Sequence, residues 1–166
     1  MKKRKFISRV VNLIYTVIAL LFVADVFTSF QIKHEGIKVL VYYGVLFSTP
    51  LILLSNYLFL KPRFISTAIP VIMLIFVFTI GPTTILFSSS AWKTQTILYQ
   101  NRQLKFKKIE VQMKDQGALG VDKRTVKVTY LTDLFMIADM VPQDIHQKIE
   151  WAEVNIHNNE VGIKNQ

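Results

Sequence analysis

Hydrophobic residues follow one another almost without interruption through Val10–Phe30, Val39–Leu60 and Ile65–Phe87, and from Thr94 onward the pattern changes to a period of two. Each apolar run is about 20 residues or longer, the length a helix needs to cross roughly 30 Å of hydrocarbon. The runs predict three transmembrane helices, at about 10–30, 39–60 and 65–87. Three all-round hydrophobic helices in a globular protein would leave only the 76 residues after Ser90 to cover them, a poor shape for solubility. The first run follows MKKRKFISR and resembles a signal peptide, but it is longer than an h-region of roughly 7 to 15 residues and no clear A-x-A site follows it. It reads as a retained anchor.

Beyond Ser90 the clearest alternation is IEVQMK, where Ile109, Val111 and Met113 interleave with Glu110, Gln112 and Lys114, the mark of a half-buried strand. TVKVTY repeats it, with Val126, Val128 and Tyr130 on one face, and TQTILYQN is a weaker strand ending in a turn at Asn101. LFMIADMV is apolar enough for a central strand, with Asp139 counting against that place. Pro142, Gln143 and Asp144 suggest a helical turn, and WAEVNIHNNEVGIK a closing hairpin around Asn158 and Asn159. The predicted fold is an α+β membrane protein: a three-span domain over 1–90 and a small antiparallel β-rich domain over 91–166.

Composition agrees with that division. The chain is 51% hydrophobic, 19% charged, with mean hydropathy +0.35, more apolar than an ordinary soluble domain. Nine Lys or Arg stand against two acids up to Ser90, so this half holds +7 of the formal +9. A pI near 9.8 would suggest nucleic acid, but these bases gather at the ends of apolar runs, where they meet headgroups. Lys2, Lys3, Arg4, Lys5, Arg9, Lys61 and Arg63 place the N-terminus and the second turn in the cytoplasm. The 91–166 domain is then extracytoplasmic. The setting that fits is a cell membrane, a bacterial inner membrane before an organelle. With no cysteine, disulfides and thiolate chemistry are excluded.

Candidate chemistry is sparse. His34, His146 and His157 form no metal-ligand spacing, no phosphate-binding loop occurs, and Ser88, Ser89 and Ser90 lack a nucleophile elbow. His146 and Glu150, four apart, read as a surface pair. No cofactor, metal, nucleic acid or enzymatic role is expected.

Asp25 is the polar intruder in VIALLFVADVFTSF, about five residues from the predicted outer end of the first span. Tyr42, Tyr43, Thr83 and Thr84 lie at similar depth, the last two beside the Gly81–Pro82 break, and together with Asp25 they form a candidate intramembrane polar cluster. Burial there favours a neutral acid unless Lys33 or Lys38 reaches it. At 100° per residue Asn12 and Thr16 point well over 100° away from Asp25, which breaks any inward polar path. Asp25 reads as a link between helices, and Asp25→Asn as tolerated.

The other candidate is DQGALGVDKR, ten residues where a hairpin needs about two to five. Asp115, Gly117, Leu119, Gly120, Lys123 and Arg124 make it a candidate interaction loop. The expected function is that of a binding, assembly or accessory component of the cell envelope, in contact with the lipid bilayer and with a protein partner or another copy. The alternative is a small oligomeric transporter or channel subunit using Asp25.

Overall fold

A computed structural model of the chain describes residues 2–59, 64–116, 120–141, 150–158 and 160. It divides into two compact units, Met1–Val26 with Gly36–Ser89 and Phe27–Glu35 with Ser90–Gln166.

The first unit is helical: α1 (Lys2–Phe27), α2 (Glu35–Phe59), α3 (Phe64–Ile80) and the short α4 (Pro82–Phe87). Over Arg9–Phe27 and Glu35–Tyr57, α1 and α2 are long and apolar enough to cross a bilayer. The third apolar run is divided. Gly81 adopts φ +90°, a left-handed conformation that a side chain would strain, and Pro82 cannot donate the next helical hydrogen bond. The helix therefore stops at Ile80 and restarts.

Pro50 interrupts the donor ladder inside α2. Just before it, the Thr49 hydroxyl donates to the Val45 carbonyl at 2.5 Å, and the Ser48 hydroxyl donates to the Gly44 carbonyl. Such back-bonding adds a second donor to the two carbonyls just before that of Leu46, which Pro50 leaves without its helical N–H.

The second unit is one six-stranded antiparallel sheet in the order β1-β5-β4-β3-β2-β6. Its strands are β1 (Phe30–Ile32), β2 (Lys93–Asn101), β3 (Lys107–Asp115), β4 (Val121–Tyr130), β5 (Phe135–Met140) and β6 (Trp151–His157). The four middle strands form a meander whose consecutive members pair. Its two edges come from elsewhere. β1, from the segment between α1 and α2, lies on β5, and β6 lies on β2.

The β1 strand departs from the sequence reading, which gives Phe30 to the first span and residues 31–38 to a turn. Phe30 instead pairs with Ile137 and its ring stacks on Phe135 at 5.4 Å. A second departure is the ten-residue loop. Strand pairing continues to Asp115↔Val121, so only 116–120 connect β3 to β4. Gln116 donates its backbone N–H to the Gly120 carbonyl at 2.9 Å, and Gly120 has φ +98°. Residues 117–119, the helical turn expected at 142–144 and the second half of the expected closing hairpin lie outside the described residues.

Candidate functional site: two buried polar networks

On α2 the buried positions Lys38, Tyr42, Val45, Thr49, Ile52 and Asn56 recur at spacings of four and three, with Val41 buried beside Tyr42, a heptad seam of the kind that holds two helices side by side. Tyr15, Ala19, Phe22 and Asp25 are the buried positions of α1. The two helices run antiparallel and touch through successive rungs. Asn12 and Asn56 exchange side-chain amide bonds at 3.2 and 3.1 Å, and the Tyr15 and Thr49 hydroxyls meet at 2.8 Å. Further along, the Phe22 and Tyr42 rings pack edge to face at 5.0 Å.

The last rung holds the charge. The Tyr42 hydroxyl donates to Asp25 Oδ2 at 2.6 Å, and Lys38 Nζ stands 3.1 Å from the same oxygen. The two side chains are 1% and 5% exposed. Lys38 Nζ also lies 5.4 Å from the Tyr42 ring centroid. The acid is therefore balanced by a cation and capped by a phenol. Because α1 ends at Phe27, Asp25 lies two residues from the helix end, roughly 3 Å at 1.5 Å per residue.

Of the proposed cluster, the structure brings together Asp25 and Tyr42. Tyr43, about 100° further round α2, is 39% exposed and packs on Phe47 at 6.0 Å. Thr83 and Thr84 are exposed on α4. Asn12 and Asp25 both face α2, in spite of the fixed-angle reading that sets them apart. Asn12 meets Asn56 at one end of the seam and Asp25 meets Tyr42 and Lys38 at the other, each reaching α2 from its own flank of α1.

The second network lies in the sheet, and the sequence reading misses it. Register pairs Glu110 with Val126 and with Ile97, and Gln112 with Arg124 and with Thr94. The apolar face of β4 is therefore continuous with the polar face of β3. Glu110 and Gln112 are both fully buried.

Glu110 accepts hydrogen bonds from the Tyr130 hydroxyl at 2.8 and 2.9 Å, from the Thr94 hydroxyl at 3.0 Å and from the Gln112 amide at 2.7 Å. The Gln112 carbonyl oxygen accepts from Arg124 at 3.0 and 2.7 Å. That guanidinium lies 3.8 Å from the Trp92 ring centroid and donates to Gln31 of β1. The amide of Gln112 thus links a buried anion to a half-buried cation.

Burial, and next the neighbouring Glu110 charge, raise the Tyr130 hydroxyl well above its ordinary value of 10.0. It is held as a donor. Lys33 Nζ stands 4.7 Å from the Tyr130 ring centroid and bridges to Glu160 at 3.4 Å. Glu160 also accepts the Thr94 backbone N–H at 3.0 Å.

The candidate loop residues separate. Asp115, Lys123 and Gly120 are exposed, while Arg124 is drawn into the sheet face. Gly117 and Leu119 lie outside the described residues, as does His146. Among the described residues no group of three or more His, Asp or Glu is placed to hold a metal ion, and no buried side-chain polar atom lacks a hydrogen-bond partner. Both networks are internally satisfied, which suits holding elements together better than binding a substrate.

Alternation within one strand did not signal the sheet network, which depends on register. A β3–β4 hairpin paired at Asp115↔Val121 puts Glu110 beside Val126, so the two alternation phases taken together would have set acid against apolar residues. No protein-family model, curated protein or solved structure matches the chain.

Proposed function

We propose that this chain is an integral membrane protein of the cell envelope that crosses the bilayer three times, through α1, α2 and the broken α3–α4 run. The N-terminus is cytoplasmic, and the sheet is presented outside as a non-catalytic binding, assembly or accessory module. The observation that carries this reading is the outer surface of the helices. Only 22% of the apolar window of α1 and 33% of that of α2 is buried within the chain, and Leu13, Leu20, Leu40 and Leu51 are each more than 60% exposed. A core helix of a soluble protein would bury most of such a surface, and patches of this extent need a cover. Lipid fits, since the covering must extend along both helices.

A cleaved signal sequence would have no use for side-chain bonds from α1 to α2 at Asn12, Tyr15 and Asp25. Those rungs favour a retained first span. The transporter alternative needs Asp25 available to an ion, and its carboxylate already holds Lys38 and Tyr42. Partners in the membrane or at the sheet surface remain part of the proposal, with lipid the first of them.

The absence of native cysteine allows a direct test. Single cysteines at Lys3, Arg63 and Lys123 are probed in intact cells with a membrane-impermeant maleimide. The reading expects labelling at position 123 alone, and membranes that keep the protein through alkaline carbonate. Release by carbonate, or labelling at 3 or 63 with protection of 123, defeats it.

A further inference from the structure

A groove runs between α1 and α3, and its lining changes character along its length. One part, about 240 Å³, is bounded by Arg9, Asn12, Thr16 and Pro70. The next, about 170 Å³, shares Thr16 and Ile69 with it and continues between Leu20 and Val23 on one side and Ile72, Met73 and Phe76 on the other. Arg9 and Asn12 stand at one end of a lining that is otherwise mainly apolar and wholly so at the other end, the order of a phospholipid.

The dimensions agree. Arg9 and Leu20 are 11 positions apart on one helix, roughly 16 Å at 1.5 Å per residue, and one leaflet of hydrocarbon is roughly 15 Å deep. With Leu20 near the midplane, Arg9 stands at headgroup level. Among the described residues Arg9 has no acidic partner. The preceding Lys2, Lys3, Arg4 and Lys5 open α1 with no acid in its first turn, an arrangement that the helix dipole opposes and an anionic surface rewards. Asn12, by contrast, is already engaged with Asn56. The Thr16 hydroxyl is likewise engaged, donating to the Asn12 carbonyl at 2.8 Å, which leaves Arg9 at the mouth.

We infer that this groove holds one anionic phospholipid of the cytoplasmic leaflet, its phosphate on Arg9 and one acyl chain laid along Leu20, Ile69 and Ile72. Such a lipid fills the space between α1 and α3 that the chain leaves open. The inference rests on the reading of these helices as membrane spans.

The full chain is purified in mild detergent from vesicles containing equal phosphatidylglycerol and phosphatidylcholine, and native mass spectrometry counts bound lipid. The wild type is expected to retain one phosphatidylglycerol per chain with at least about tenfold preference. Arg9→Gln should lose the preference, and Ile72→Trp, which fills the apolar part from an exposed position, should lose retention. Three results overturn the inference: unchanged retention in both variants, full displacement of the lipid by millimolar inorganic phosphate, or two copies cross-linking through cysteines at Leu20 and Ile72 with no lipid bound. Extraction of each sample by alkaline carbonate is scored in parallel. Release there would break the membrane reading itself, whereas retention with unselective lipid binding breaks only this inference.

Discussion

Among the described residues the helical unit and the sheet each bury one acid, and they satisfy it by opposite means. Asp25 has a cation directly on its carboxylate, with Tyr42 as a second donor. Glu110 has three neutral donors, Thr94, Tyr130 and Gln112, and its nearest bonded cation, Arg124, stands one amide away. A direct buried pair gives no alternative if one member is removed. A branched network with a half-exposed cation can lose a member and let water or a rotamer change compensate. The difference predicts which acid is the more fragile, and in which direction.

The largest effect expected is at Lys38. Lys38→Met leaves the Asp25 carboxylate buried without its cation, at a cost of about 3–5 kcal/mol. Asp25→Asn, which the sequence reading expects to be tolerated, strands the ammonium and should cost nearly as much. The double variant Asp25→Asn with Lys38→Met removes both charges and should recover most of the loss. Thermal unfolding of the detergent-solubilised chain measures all three. A double variant as unstable as the two single losses added together would show that the pair is not a unit.

Glu110→Ala comes next, at about 3 kcal/mol, since it leaves the Thr94, Tyr130 and Gln112 donors without their acceptor. Glu110→Gln keeps an acceptor oxygen and should cost less than half as much. The same unfolding measurement ranks the variants, and a Glu110→Ala loss exceeding that of Lys38→Met would reverse the comparison.

The two acids were unequally legible in the sequence for a physical reason. An acid among VIALLFVADVF contradicts its surroundings, so Asp25 announces itself, and Tyr42 and Lys38 follow from depth along two helices joined by a short segment. Glu110 alternates with Ile109 and Val111, which is what a solvated strand face looks like. Only the pairing of β3 with β4 reveals that the face is covered, and pairing is a long-range property that a period of two does not carry. β1 escaped for a similar reason. Three residues, Phe30–Ile32, carry too little alternation to register, and their strand exists because β5 offers an edge. The antiparallel sheet, the strands at IEVQMK and TVKVTY and the break at Gly81 were legible because local pattern and backbone chemistry suffice for them.

Alkaline pH separates the networks from another direction. Tyr130 in the folded chain ionises above the unfolded value near 10. Below pH about 10 both states carry the proton and stability is level. Above it the unfolded chain loses the proton first, so stability should fall, by at most about 1.4 kcal/mol per pH unit from this group. Tyr130→Phe removes that dependence. Unfolding followed by the fluorescence of Trp92, which packs against Val126, Val128 and Met136, should fall more steeply between pH 10 and 11 in the wild type than in the variant. Parallel curves would show that Tyr130 ionises alike in both states.

The smallest effect tests the neutral rungs of the helix seam against its charged one. Tyr15→Phe deletes the hydroxyl that meets Thr49, but Thr49 keeps its bond to the Val45 carbonyl, so no buried polar atom is left unpaired. Hydrogen bonds between helices in lipid average about 0.6 kcal/mol, and the expected loss is that or less. The ring remains to fill its buried place between the helices. If α1 and α2 are held chiefly by apolar packing with one ionic lock at their ends, Tyr15→Phe barely shifts the melting midpoint while Lys38→Met shifts it strongly. Equal shifts would mean that the seam distributes its polar stabilisation evenly, and that Asp25 is one rung among several.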